Sequence, residues 1–328
     1  MDLYATKRPI SEGAEKILGL YFPVLDYGFV SLVDYMSSDV GIEQSARVSY
    51  GAGTRQVSKT RGLIRYLKRH LHTSPFEQVE LKFHMCLPIF VARQIVRHRT
   101  SSLNEYSGRY SLMPMLFYTP ELEQFQKQSK GNNQGRKGDI DEALYLRVVN
   151  RWNKIREENQ QLYIDMTKEE VARELARIDL PLSTYTQWYW KIDLHNLMHF
   201  LTLRVDEHAQ WETREYAKVM AGMMQAVAPL AYEAWIDYNL CGQHFSREEM
   251  KVIREITKAC SRPVEAILAQ DDIDLNKREL DEFRQKLVID PNNVPDFALN
   301  ISQAKSADYF EQLMKKVVPH RDENVGED

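Results

Sequence analysis

Apolar and polar residues alternate with a period of two over "VELKFHMCL", where Val79, Leu81, Phe83, Met85 and Leu87 share one face. This pattern predicts a half-buried strand. Upstream, "FVSLVDYMSSD" reads as a second strand running into polar turn residues. Between them the period lengthens. In "SKTRGLIRYLKRHLHTSP", Leu63, Ile64, Leu67 and Leu71 form a helical stripe that Pro75 is expected to end. Pro88 then opens a helix over "IFVARQIVRHR", with Ile89, Val91, Ala92, Ile95 and Val96 on its buried side and Arg93 and Arg97 four apart on another.

The glycine-rich polar stretch "QKQSKGNNQGRKGD", residues 126 to 139, reads as an exposed loop, and a helix is expected over roughly 140 to 163. Thr167 with Glu170 has the spacing of a capping box, which predicts that "KEEVARELARI" is helical up to Pro181. Helical spacing returns through Leu194, Leu197, Met198 and Leu201. From about residue 241 the chain becomes charge-rich and ends "HRDENVGED", which reads as a helical appendage with an acidic tail. The first thirty residues show no clear period and read as an extension.

Composition narrows the class. Of 328 residues, 43% are apolar and 27% charged, as in a globular protein with a core, and the formal net charge of −4 argues against a nucleic-acid partner. Cys86, Cys241 and Cys260 form no C-x-x-C pair and read as thiols in a reducing compartment. The first residues lack the apolar run of a signal peptide, and no window approaches eighteen uninterrupted apolar residues. A cytoplasmic protein without membrane contact is expected.

The polar stretch "RHRTSSLNEYSGRY", residues 97 to 110, follows the Pro88 helix and reads as the end of that helix plus a loop. It concentrates cations and hydroxyls. Arg93, Arg97, Arg99 and Arg109 fall within seventeen residues, while Arg177 and Arg204 lie elsewhere. Guanidinium groups fork onto phosphate or carboxylate at any useful pH. Arg204 follows Leu201, Thr202 and Leu203 on a largely apolar helix, where a charge needs a partner. Either these arginines pair with Glu105, Asp206 or Glu207, or they hold an anion.

Other chemistry has thinner support. His195 and His199 sit four apart on one helix face, but "HNLMH" lacks the glutamate of a zincin helix, so pocket or core histidines are the favoured reading and no metal is expected. Cys86 has only His84 nearby, and Ser107 has no base, so a ligand hydrogen bond suits it better than nucleophilic attack. No G-x-S-x-G, Walker loop or G-x-G-x-x-G is present, so any nucleotide is held without a glycine cradle. The aromatic run "YTQWYW", residues 185 to 190, could stack on a planar ring, although such residues are more often core.

"RHRTSSLNEYSGRY" closely resembles the signature of the flavin-dependent thymidylate synthases, the ThyX family: R-H-R followed by a spaced S-x-R. The agreement extends to "HTSPFEQVELKFHMCLPIFVARQIVRHR" before it and to "LARIDLPL" and "DLHNLMHFLTLRVDEHAQWE" after it, covering roughly residues 30 to 240. That gives a catalytic domain flanked by extensions at 1–29 and 241–328. The resemblance implies an α+β fold of its own, a central mostly antiparallel sheet flanked by long helices, assembled as a homotetramer with active sites shared between subunits. It implies methylene transfer from methylenetetrahydrofolate to C5 of dUMP, with FAD supplying the hydride and NADPH re-reducing it. A flavin-dependent pyrimidine-nucleotide modifying enzyme such as a hydroxymethylase, or a non-catalytic nucleotide-binding protein, stands as the alternative.

By the same resemblance, Ser74, Arg97, His98, Arg99, Glu105, Asp193, Leu194, His195 and His199 match FAD positions. Gln94, Ile95, Val96, Arg97, Glu105, Tyr106, Ser107, Gly108 and Arg109 match dUMP positions, with Arg177 contributed from a different subunit. Arg204 matches the catalytic arginine that polarises the uracil ring. Many members carry asparagine and arginine where this chain has Asp193 and His195.

Overall fold

The computed structural model describes residues 9–48, 60–130, 135–259 and 277–288. The chain divides into two compact units, Met1–Gln243 and His244–Asp328. In the first, strands β1 (Tyr21–Val24), β2 (Gly28–Met36), β3 (Glu80–Pro88), β4 (Ser101–Glu105) and β5 (Tyr185–Asp193) form one sheet in the order β1-β2-β3-β5-β4, every neighbouring pair antiparallel. The fold is α+β.

The alternation over β3 is realised: Val79, Leu81, Phe83, Met85 and Leu87 are all fully buried. They meet a helical layer made by α8 (Leu194–Arg204), α9 (Trp211–Val227) and α10 (Pro229–Trp235), whose Phe200, Leu201, Tyr216, Met220, Met224 and Trp235 are equally buried. Each such side chain contributes about 1.5–3 kcal/mol relative to exposure, so this layer rather than local propensity holds the helices on the sheet. Close approach is exacting at Gly28, where an added Cβ would lie 2.0 Å from the Tyr216 hydroxyl, itself donating to the Cys86 carbonyl at 2.7 Å. Only glycine fits there.

The N-terminal stretch read as an extension enters this unit from residue 12 onward. Helix α1 (Glu12–Glu15) buries Ala14, and β1 pairs with β2.

The run 185–193, given no element from the sequence, is a strand: Thr186, Trp188, Trp190 and Ile192 are buried on one face of β5, and Trp188 Nε1 donates to Met85 Sδ at 3.2 Å. Three local expectations are corrected. Residues 101–105 pair with β5 as an edge strand rather than continuing a loop, and α5 spans only Ile89–Ile95. The helix α3 (Thr60–Arg69) stops before Leu71, which has a positive φ of 57° and is exposed, while Pro75 lies in the short α4 (Ser74–Glu77) instead of ending α3. Finally, α6 runs Glu142–Lys168, so Thr167 lies inside it, donating to the Ile164 carbonyl at 2.8 Å. Glu170, at φ 61°, turns the chain out of α6, and α7 is only Arg173–Ala176.

In the stretch expected as an exposed loop, 126–139, Gln128 and Arg136 form an isolated antiparallel bridge. In the second unit, α11 (Arg247–Ala259) opens on a reciprocal cap: the Glu249 carboxylate accepts from Ser246 N–H at 2.7 Å, and Ser246 Oγ accepts from Glu249 N–H at 3.3 Å. Helix α12 spans Lys277–Val288. Cys260 and the acidic tail lie outside the described residues.

Candidate active site

The motif 97–110 is carried along β4 and displays its two ends at different places. Ser101 pairs with Ile192 and Glu105 with Trp188. At about 3.4 Å per residue, the four steps between them span roughly 14 Å, with Arg97–Arg99 before the strand and Ser107–Arg109 after it.

At the far end, Glu105, Tyr106, Ser107, Gly108, Arg109, Arg177, Met113 and Thr186 line a cleft of about 350 Å³. Helices α6 and α7 hold its rim. Tyr163 Oη accepts from Met113 N–H at 3.0 Å, and Arg109 Nε pairs with Glu174 at 3.0 Å. Arg173 Nη1 donates to the Tyr110 carbonyl at 2.5 Å. The Glu105 carboxylate accepts from Thr186 Oγ1 at 2.8 Å. Arg177 belongs to this cleft in its own chain: an added Cβ on Gly108 would lie 3.1 Å from Arg177 Cδ and 2.7 Å from Met113 Sδ. Arg177, which the resemblance implies is contributed from a different subunit, lines the same cleft as Ser107–Arg109 within one chain.

At the near end, the C-termini of α5 and α8 converge. Arg204 Nε donates to His98 Nε2 at 3.0 Å, and Arg204 Nη2 to the Gln94 carbonyl at 3.4 Å. Burial pushes His98 down to about 4, helped by the charge of Arg204 and by His199. The imidazole is therefore neutral at pH 7, with its proton on Nδ1 and its Nε2 lone pair facing the arginine. Burial, then the neighbouring Arg97 guanidinium, lowers Arg204 too, yet an arginine keeps its charge. The internal pairing considered from the sequence does not occur among the described residues: Asp206 pairs with His208 at 2.8 Å, and Glu105 bonds Thr186. Arg204 is a part-buried cation facing a neutral base and another cation, an environment that calls for an anion or a carbonyl oxygen.

Beside this cluster lie the residues matched to the flavin. Ser74 is exposed at the start of α4, which packs on α8. Asp193 is the N-cap of α8: one carboxylate oxygen accepts from Asn196 N–H at 2.9 Å, the other from the Asn196 amide at 2.7 Å. Its role is thus at least structural. Burial lowers His195, reinforced by Lys68, with Asp193 opposing. His199 is exposed on the same helix, its ring centroid 6.3 Å from that of His98. Ile95 and Leu194 are fully buried in the core, so their side chains reach no ligand, whereas Val96 is half exposed. Arg97 and Arg99 are exposed. Among the described residues, no three His, Cys, Asp or Glu side chains converge as a metal site, and no helix is long and apolar enough to cross a membrane.

Sequence reading missed Lys68, which burial lowers to about 8 beside His195. The only signal was a lysine adjoining the apolar stripe of α3. It also missed Gln210, Glu212 and Thr213, which touch Gln94 directly or through one another and have no local pattern.

An antiparallel α+β scaffold that brings Arg97 and Arg204 against the neutral His98 defines a protein with a cationic site suited to anionic or carbonyl-bearing ligands. The family described as thymidylate synthase complementing protein (Thy1) matches residues 31–230. A flavin-dependent thymidylate synthase of Treponema denticola is 49% identical over 267 residues, covering 81% of this chain and 96% of the relative. That of Wolbachia pipientis wMel is 46% identical over 281 residues, covering 85% and 96%. A crystal structure of the UMP/dUMP methylase PolB from Streptomyces cacaoi, bound with 5-Br UMP, superposes with a TM-score of 0.59 at 33% identity, covering 65% of this chain and 95% of PolB. The chain belongs to the flavin-dependent thymidylate synthase family.

Proposed function

We propose that the protein converts dUMP to dTMP, taking the carbon from methylenetetrahydrofolate, with FAD as bound cofactor and NADPH as reductant. The observation that carries this is the Arg204–His98–Arg97 cluster: a part-buried guanidinium with no carboxylate partner among the described residues, at the end of the R-H-R motif. The donor set fits a flavin pyrophosphate, because Arg97, Arg99, Ser74 and the part-buried Lys68 ammonium offer charge-assisted hydrogen bonds. His98, His195 and His199 stand beside them. When bound, the flavin supplies the hydride that completes the methyl group.

The chain's own residues do the rest. Ser107, Arg109 and Arg177 grip the dUMP phosphate in their cleft. Arg204 faces the uracil carbonyl and stabilises the negative charge that develops on the ring as C5 attacks the methylene carbon. His98, being neutral, leaves that charge to Arg204. Cys86 does not act as a nucleophile: it is buried, and its thiol is pushed up to about 11. The two arginine groups lie at opposite ends of β4, which supports an active site completed between subunits, as in a homotetramer. The family match over 31–230 supports a catalytic part at about 30–240 followed by the extension 241–328, while residues 12–29 add α1, β1 and the start of β2 to the catalytic unit. The cytoplasm is the compartment that fits its free thiols, and no nucleic acid or membrane partner is involved.

The test is an absorbance spectrum of purified, FAD-loaded protein, followed by anaerobic NADPH with and without dUMP. Flavin bands that bleach, at a rate that dUMP alters, support the reading. So does a product with the mass of dTMP once methylenetetrahydrofolate is added. Protein that takes up no FAD, or a product one oxygen heavier, would overturn it.

A further inference from the structure

Behind Gln94 runs a chain of hydrogen bonds that reaches into the core. Gln94 Nε2 donates to Gln210 Oε1, and Gln94 Oε1 accepts from Thr213 Oγ1 at 3.2 Å. Gln210 Nε2 in turn donates to Glu212 Oε2 at 2.9 Å. Glu212 is 2% exposed, and its second oxygen accepts from Arg136 Nη1 at 3.0 Å and from Tyr118 Oη at 3.1 Å. Burial, with Glu212 beside it, pushes the Tyr118 phenol up, so it remains a donor.

An amide side chain can turn over and exchange donor for acceptor. Here it cannot do so without loss, because the last member is a carboxylate that only accepts. Glu212 requires the NH₂ of Gln210, which leaves the Gln210 oxygen facing Gln94, which requires the NH₂ of Gln94 there. Thr213 reinforces the same sense from the oxygen side. Gln94 keeps one N–H and one oxygen lone pair uncommitted among the described residues, and each stays on its own side of the amide. Its backbone carbonyl meanwhile accepts from Arg204.

We propose that Gln210 and Glu212 are positioning residues that lock the Gln94 amide, so that its free N–H meets a ring carbonyl and the site selects uracil over cytosine nucleotides. At ring position 4 uracil carries a carbonyl where cytosine carries an amine, and a fixed donor distinguishes them whereas a freely turning amide serves both. The inference rests on the dUMP reading of the site and adds the origin of its base selection.

Gln210→Leu removes the link while leaving Glu212 its Arg136 and Tyr118 partners. FAD-loaded wild type and variant are titrated calorimetrically with dUMP, dCMP and 2-deoxyribose 5-phosphate. The dUMP preference over dCMP is expected to shrink about tenfold or more in Gln210→Leu, the size of one misplaced hydrogen bond. Affinity for the base-less sugar phosphate should be unchanged. Thr213→Val, which keeps the side-chain shape, should shift the ratio in the same direction by less. An unchanged dUMP/dCMP ratio in Gln210→Leu overturns the lock alone, and so does equal weakening of all three ligands. Wild type that binds sugar phosphate but neither nucleotide better overturns the dUMP reading and the selection with it.

Discussion

The two arginine groups at the ends of β4 share a residue type and differ in almost everything else. Arg109 is 59% exposed and paired with a Glu174 that is 52% exposed. Such a pair contributes about 0–1 kcal/mol, so an incoming phosphate displaces Glu174 at little cost. Arg204 is part-buried, bonded to a neutral His98, and crowded by Arg97 instead of being relieved by a carboxylate. One arrangement suits grip and release, the other suits stabilising a charge that exists only during reaction. In the proposed mechanism the same guanidinium serves affinity at one end of a strand and chemistry at the other, according to its solvent and neighbours.

The sharpest way to break this contrast is Arg204→Gln. A rate of dTMP formation lower by about 10²–10³-fold at saturating dUMP is expected, in rapid-quench single turnovers, with the melting temperature little changed. Arg109→Gln should instead raise the dUMP dissociation constant by roughly ten- to a hundredfold, the value of a charge-assisted hydrogen bond, with the rate recovered at saturation. A smaller effect is expected for Gly108→Ala. The new methyl presses on Met113 Sδ and Arg177 Cδ, both able to yield, so dUMP titration should show only a few-fold weakening from a displaced Arg177. The smallest effect is on stability against pH. His98 drops from 6.5 to about 4 on folding, so the unfolded chain takes up its proton first. Stability from this group is complete above about pH 6.5, declines as pH falls towards 4, and declines no further below. Denaturation of His98→Asn followed over that range should show a shallower slope, with His195, lowered in the same direction, supplying part of what remains.

What could be read from the chain beforehand follows from where each signal resides. Strand β3 was legible because one of its faces is wholly core and its alternation is uninterrupted from Val79 to Leu87. Strand β5 has an equally regular buried face, yet Tyr189 on the other side, stacked on His84 at 4.9 Å, masks the polar alternation with another aromatic ring. Strand β4 lies at the sheet edge, so its outward residues are polar and it resembles a loop. The Thr167 and Glu170 spacing mimicked a helix start because the same residues serve a helix end, where Glu170 takes a left-handed turn. Within the site, the R-H-R and S-x-R motif was legible as chemistry in sequence order. That it splits across a strand, and that Glu212 reaches Gln94 through Gln210, depends on contacts between residues 83 to 116 positions apart.

The most direct measurement of the division of labour is the single-turnover rate of dTMP formation at saturating dUMP, compared between Arg204→Gln and Arg109→Gln in the FAD-loaded protein. A large loss confined to Arg204→Gln, with Arg109→Gln near the wild-type rate, is the expected result. Equal losses in both, or a wild-type rate in Arg204→Gln, would contradict it.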